Sequence, residues 1–186
     1  MSRERPIRTF VALEIEEPMR IRLAQATLEL RPLLPGVRFA SKDGLHLTLR
    51  FLGASRPDQL ERMLPALAAA ARECPPLVAR ICGLGAFPER GAPRVLFVGL
   101  LAPPRLGPLQ AACERAARGA GFEAEGRSFR PHLTLGRWRD RAQRPQFPPL
   151  ELGLTPLRNL VLFRSEPQRG GSRYTALGTF SLAGGS

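Results

Sequence analysis

The segment RTFVALEI (8–15) is short, apolar and β-branched, which predicts a strand. After Pro18 the period changes: Met19, Leu23, Ala26, Leu30 and Leu33 recur at the spacing of one helix face. Past the turn residues Pro35 and Gly36, VRFA (37–40) and LHLTLRFL (45–52) read as two strands joined by SKDG (41–44) as a hairpin. A second helix should follow, with Ser55 as N-cap, Asp58 three residues on, and Leu60, Met63, Leu64 and Leu67 along one stripe. Pro65 inside it predicts a kink, and Pro75 and Pro76 close the half.

The second half repeats the order. LVARICGLGAF (77–87) and RVLFVGL (94–100) read as strands, and a helix is expected from about Leu106 to Arg118. Its apolar face is Leu109, Ala112, Cys113 and Ala116, and Gly119 and Gly121 end it. The proline-rich RPQFPPL (144–150) leads to NLVLFRSE (159–166) and RYTALGTFSL (173–182), two strands with a Gly-Gly turn at 170–171.

One tetrad, His-Leu-Thr-Leu, occurs once in each half, at 46–49 and 132–135, and accounts for both histidines of the chain. Each copy follows a strand and a helix. That repetition predicts a duplicated α+β fold: two lobes with mainly antiparallel sheets, pseudo-twofold symmetric about a central cleft, forming one unit over 1–186. Seven of the 186 residues are threonine, so the chance of one standing two places after a given histidine is roughly 0.04. Two such coincidences point away from packing alone.

In a strand, alternate side chains share a face, so His46 and Thr48 point one way and Leu45, Leu47 and Leu49 the other. His132 and Thr134 repeat the arrangement. A hydroxyl can donate to a non-bridging phosphate oxygen while a neighbouring imidazole moves a proton. In-line cleavage of a phosphodiester needs a base on the attacking water and an acid on the departing oxygen, which two tetrads facing across a cleft supply. The residues alone leave open which histidine is acid and which is base. Continued alternation adds Arg50 to the first copy and Arg130 to the second as candidate phosphate contacts. Of the aromatic residues near the tetrads, Phe39, Phe51, Phe129 and Trp138 are candidates for stacking on a base, Phe39 foremost.

Charge strengthens this picture. The chain carries 28 basic and 16 acidic residues, a net charge of +12, and Lys42 is the only lysine. Six arginines stand between Arg127 and Arg144 against the single acid Asp140, which favours a polyanionic partner such as RNA. Cys74, Cys82 and Cys113 show neither C-x-x-C spacing nor a neighbouring histidine, and reduced, partly buried thiols are expected. A P-loop is absent, both histidines are committed to the tetrads, and neither a metal nor a cofactor is expected. No run of about eighteen apolar residues occurs, so a cytoplasmic, non-membrane protein, and a monomer, is expected.

HLTLRFLG and RPHLTLGR resemble the H-x-T-x motifs of the two-histidine phosphoesterases, in particular the RNA 2′,3′-cyclic phosphodiesterases once called 2′-5′ RNA ligases. RTFVALEI, GAFPERGAPRVLFVGL (85–100) and LVLFRSEPQRGGSRYTAL (160–177) are similar to that family in order and spacing. The resemblance implies hydrolysis of an RNA 2′,3′-cyclic phosphate end to a 2′-phosphate. His46 would be proton donor, His132 proton acceptor, Thr48 and Thr134 holders of the phosphate oxygens, and Arg130 an added positive charge. Transfer-RNA fragments and small cyclic nucleotides are further candidate substrates. Two alternatives are ATP-independent 2′-5′ joining of RNA ends, the reverse reaction, and RNA binding without catalysis.

Overall fold

The computed structural model describes residues 6–168 and 171–185. The first apolar run forms β1 (Ile7–Glu14), buried from Thr9 to Leu13 because β3 and β8 flank it on either side. It leads into α1 (Glu17–Leu30), where Pro18 sits in the first turn and Met19, Leu23, Ala26 and Leu30 form the buried face. Leu33 lies beyond the helix end and is exposed, and Leu34 takes the buried place. The chain continues through β2 (Val37–Phe39), a 3₁₀ turn at Lys42–Gly44, β3 (His46–Ser55), α2 (Pro57–Glu73), β4 (Leu77–Phe87) and β5 (Val95–Leu101). Then come α3 (Leu106–Gly119), β6 (His132–Trp138), β7 (Glu151–Leu157), β8 (Asn159–Gln168) and β9 (Gly171–Ser181).

Eight of these strands lie side by side in the order β7-β4-β5-β6-β3-β1-β8-β9, all antiparallel, with β2 added on β6. The order is palindromic about the β6–β3 junction. Each tetrad strand has as its outer neighbour the strand that precedes its own helix: β1 beside β3, β5 beside β6. The halves of the sequence are not the halves of the fold, however, because β8 and β9 return to β1. The two sets of strands join in one sheet through a single pairing, Leu47 opposite Leu133. Both leucines are fully buried in one continuous core, and burial of each contributes about 1.5–3 kcal/mol.

Several local expectations are corrected. VRF and the first tetrad form no hairpin: SKDG coils into the 3₁₀ turn, and β2 pairs with β6 instead, Val37 opposite Trp138 and Phe39 opposite Gly136. Gly136 makes this approach feasible, since a Cβ there would stand 2.6 Å from Val37 Cγ1 and 2.8 Å from the Arg38 carbonyl oxygen. Ser55 does not cap α2. It ends β3, where its hydroxyl meets that of Thr9 at 2.6 Å, and Arg56 is the N-cap. α2 runs on through Pro65, which lies on its solvent side, so the missing N–H disturbs no buried contact. β7, which contains Pro156, is an additional strand, and its position at the sheet edge is where proline is tolerated. The predicted Gly-Gly turn includes Gly170, outside the described residues. All three cysteines are free thiols, Cys74 and Cys113 buried and Cys82 partly so. Among the described residues no helix is long and apolar enough to cross a membrane.

Candidate active site

The tetrad strands carry the same burial sequence over seven residues. His46 to Leu52 and His132 to Trp138 both read half-buried, buried, half-buried, buried, buried, exposed, buried. The leucines of each tetrad face the core and the histidine and threonine the other side, as period-two alternation requires. With Leu47 opposite Leu133 on antiparallel strands, the neighbouring positions set His46 toward Thr134 and Thr48 toward His132 on one face. Two imidazoles and two hydroxyls therefore share a single site.

The alternation then breaks, in both copies at the same place. β1 pairs Ala12 with Thr48 but Val11 with Arg50, so Leu49 is the extra residue of a bulge. β5 pairs Phe97 with Thr134 but Leu96 with Gly136, so Leu135 is its counterpart. A bulge reverses which side chains face which way from there on. Arg50 is thus turned into the protein, only 7% exposed, where its Nε meets Glu114 Oε2 on α3 at 2.5 Å and its other nitrogens donate to the Phe51 and Glu123 carbonyls. It does not join His46 and Thr48. A hollow of about 410 Å³ adjoins it, lined also by Arg56, Gln59 and Glu125 and by neither histidine.

The same reversal brings Phe51 and Arg137 to the histidine side. Phe51 is 50% exposed, its ring 6.0 Å from that of Phe10. The Arg137 guanidinium is close enough for its charge to act on His132. Alternation alone could not single Arg137 out of the six arginines, because the bulge leaves no mark in the hydrophobic pattern.

Each imidazole is held from behind by a backbone carbonyl two residues earlier. The His132 Nδ1–H donates to the Arg130 oxygen at 2.6 Å, and the His46 ring donates to the Gly44 carbonyl. That fixes the tautomer of His132 and leaves Nε2 as a proton acceptor. Rings surround both groups. Phe10 stacks on His46 at 4.5 Å with Tyr174 edge-on at 5.0 Å, and Phe87 and Phe97 stand edge-on to His132 at 5.0 and 5.4 Å. Burial pushes the His46 pKa down to about 4, with the Gly44 carbonyl opposing and the charge of His132 adding to the fall. Burial also lowers that of His132, which the Arg130 carbonyl opposes and the charges of Arg137 and Arg130 reinforce.

The remaining predicted residues separate. The Arg130 guanidinium pairs with Glu89 and stands 5.7 Å from the centre of the Phe87 ring, beside His132. Phe39 packs against the core with Arg31 5.6 Å over its ring, and Trp138 is buried. Phe129 lines a hollow beside His132. Within the arginine cluster, Arg127 pairs with Glu125 and Arg144 donates to the Pro88 carbonyl. Among the described residues no group of three or more histidine, cysteine or acidic side chains comes together as a metal site.

A family model described as the 2′-5′ RNA ligase superfamily matches residues 18–161. An RNA 2′,3′-cyclic phosphodiesterase of Thermus thermophilus is 35% identical, over 96% of this chain and 91% of that protein. A crystal structure from the same organism superposes with a TM-score of 0.84 at 32% identity, covering 96% of this chain and 99% of the other. Escherichia coli LigT complexed with 3′-AMP superposes with a TM-score of 0.80 at 28% identity, covering 95% and 98%.

Proposed function

Because the chain belongs to the 2′-5′ RNA ligase superfamily, we propose that it hydrolyses the 2′,3′-cyclic phosphate at an RNA 3′ end to a 2′-phosphate, with His46 and His132 as acid and base. The observation that carries this reading is the convergence of both histidine–threonine pairs on one face at the Leu47–Leu133 pairing. His132 Nε2 takes a proton from water as the oxygen attacks phosphorus. His46 gives a proton to the 3′ oxygen as the P–O3′ bond breaks. Thr48 and Thr134 donate to the non-bridging oxygens, and the positive charges of Arg137 and Arg130 offset the charge that builds there.

Both imidazoles being hard to protonate, His46 acquires its proton with the substrate, whose negative phosphate favours the imidazolium. The assignment of acid and base follows the family resemblance. The bases of the RNA stack on exposed rings, for which Phe51 replaces Phe39 as the candidate on the His46 side. The protein acts in this reading as a cytoplasmic monomer, on RNA ends including transfer-RNA fragments and on small cyclic nucleotides.

The test is a short RNA ending in a 2′,3′-cyclic phosphate, incubated with the protein in excess chelator and followed by mass and phosphatase sensitivity. A 2′-phosphate product that disappears with His46→Ala and with His132→Ala is expected. A 3′-phosphate product, or turnover unchanged in both variants, overturns the reading.

A further inference from the structure

Each tetrad histidine is held by the carbonyl of the residue two places before it, but those two residues differ. Before His46 stands Gly44, which has no side chain. Before His132 stands Arg130, whose guanidinium lies over the Phe87 ring and whose charge reaches the imidazole. Glu89 pairs with that guanidinium. It does so from a loop closed at its base by the Arg94 N–H, which donates to the Phe87 carbonyl at 2.8 Å, and anchored by Arg144, which donates to the Pro88 carbonyl. The two side chains of the pair are 55% and 64% exposed, and an ion pair so open to water adds little to folding stability. Its effect falls on the site beside it.

In the reaction proposed above, on which this inference rests, water attacks phosphorus from the His132 side, opposite the departing O3′. The cyclic phosphate is a diester, with one negative charge shared by two non-bridging oxygens. The product is a monoester with a third oxygen, the one that came from water, and a charge of about −1.5 to −2 at pH 7. The oxygen and the charge that distinguish product from substrate therefore arise on the side where Arg130 stands. A guanidinium attracts a dianion more strongly than a monoanion. An Arg130 without a partner would hold the product more tightly than the substrate, and the site would fill with its own product.

We infer that Glu89 is a positioning residue that sets product release: by pairing with Arg130 it leaves the His132 side with too little net positive charge to retain a dianionic phosphomonoester. Glu89 acts through Arg130 and not on phosphorus. The carboxylate and the product's new oxygen compete for one guanidinium, and the carboxylate, tethered beside it, recovers the pairing as the product leaves.

The full-length protein and its Glu89→Gln variant are titrated at pH 7.5 with adenosine 2′-phosphate and with the methyl ester of adenosine 2′-phosphate, which has the same nucleoside but the single charge of a diester. Calorimetry gives both affinities without turnover. Glu89→Gln should tighten binding of the 2′-phosphate at least about threefold and that of the ester less than about 1.5-fold. Inhibition of turnover by the 2′-phosphate should strengthen by the same factor. In an Arg130→Ala background, Glu89→Gln should change neither affinity. A merely structural role would move both ligands alike. Equal changes for the two ligands, no change in either, or a gain that persists without Arg130 overturns the inference. Turnover of an RNA 2′,3′-cyclic phosphate by the unaltered protein tests the proposed function separately: a 2′-phosphate product whose affinity ignores Glu89 removes only this inference, and if no 2′-phosphate forms, both fail.

Discussion

The Nδ1 of His132 stands 2.6 Å from the carbonyl oxygen of Arg130, a residue whose own side chain is turned to Glu89. The main chain of Arg130 thus orients the His132 imidazole through a contact that no side-chain substitution removes. We expect Arg130→Ala to lower kcat/KM only about tenfold. Arg137→Met, which removes a charge acting directly on His132, should cost about 10²–10³-fold. The same change should move the limb of the pH–rate profile that belongs to His132 to higher pH. Steady-state kinetics across pH would show it, and an unmoved limb would contradict the placement of Arg137.

The depressed pKa values place both imidazoles in the neutral form in the free enzyme near pH 7. The profile of kcat/KM, which reports free enzyme, should therefore be bell-shaped with its optimum below the ordinary histidine value of about 6.5. The profile of kcat should extend to higher pH, because bound phosphate raises the pKa of His46. Coincident profiles centred above pH 7 would count against this.

The same depression has a consequence for stability, since the unfolded chain takes up a proton at the His46 position that the folded protein refuses. His46 contributes stability above about pH 6.5 that is lost as pH falls toward about 4, on the order of 3 kcal/mol in all. His46→Asn should flatten that part of the profile. Thermal melts of the two proteins from pH 7.5 to 4 give the difference directly, free of the exposed carboxylates they share.

Arg50→Met should leave the half-buried Glu114 carboxylate without its cationic partner and destabilise the protein by about 1–3 kcal/mol. Arg50→Met with Glu114→Leu should recover most of the loss, with urea denaturation as the measure. If Arg50 instead bound phosphate, the double variant would be stable yet lose turnover.

Gly136→Ala forces a Cβ onto Val37 and the Arg38 carbonyl and should detach β2 from β6 at about 1–3 kcal/mol. Faster amide exchange confined to residues 37–39 and 136–138 would register it.

The side on which each histidine and threonine lies was legible in the sequence because strand alternation depends on period alone, and both H-x-T pairs obey it until their fourth residue. The bulges at Leu49 and Leu135 lie just beyond, and they are set by pairing with β1 and β5. Nothing local distinguishes Arg50, which goes into the core, from Arg137, which comes to the site. The partner of β2 was hidden for a similar reason: SKDG suits a hairpin by composition, but the small size of Gly136, almost a hundred residues away, decides where VRF docks. β7, with Pro156 in it, was not read as a strand, and its edge position is what permits a proline there.

The return of β8 and β9 to β1 also sets an order of events during synthesis. When the ribosome has made residues 1–157, Phe87 on β4 and Phe97 on β5, the rings beside His132, are already present, while His46 has Phe10 beside it but lacks Phe163 and Tyr174. The last two strands to emerge complete the environment of the first histidine to be made. A chain stopped at residue 157 therefore has the rings that surround His132 but lacks part of those that surround His46, which arrive only with the β8–β9 hairpin.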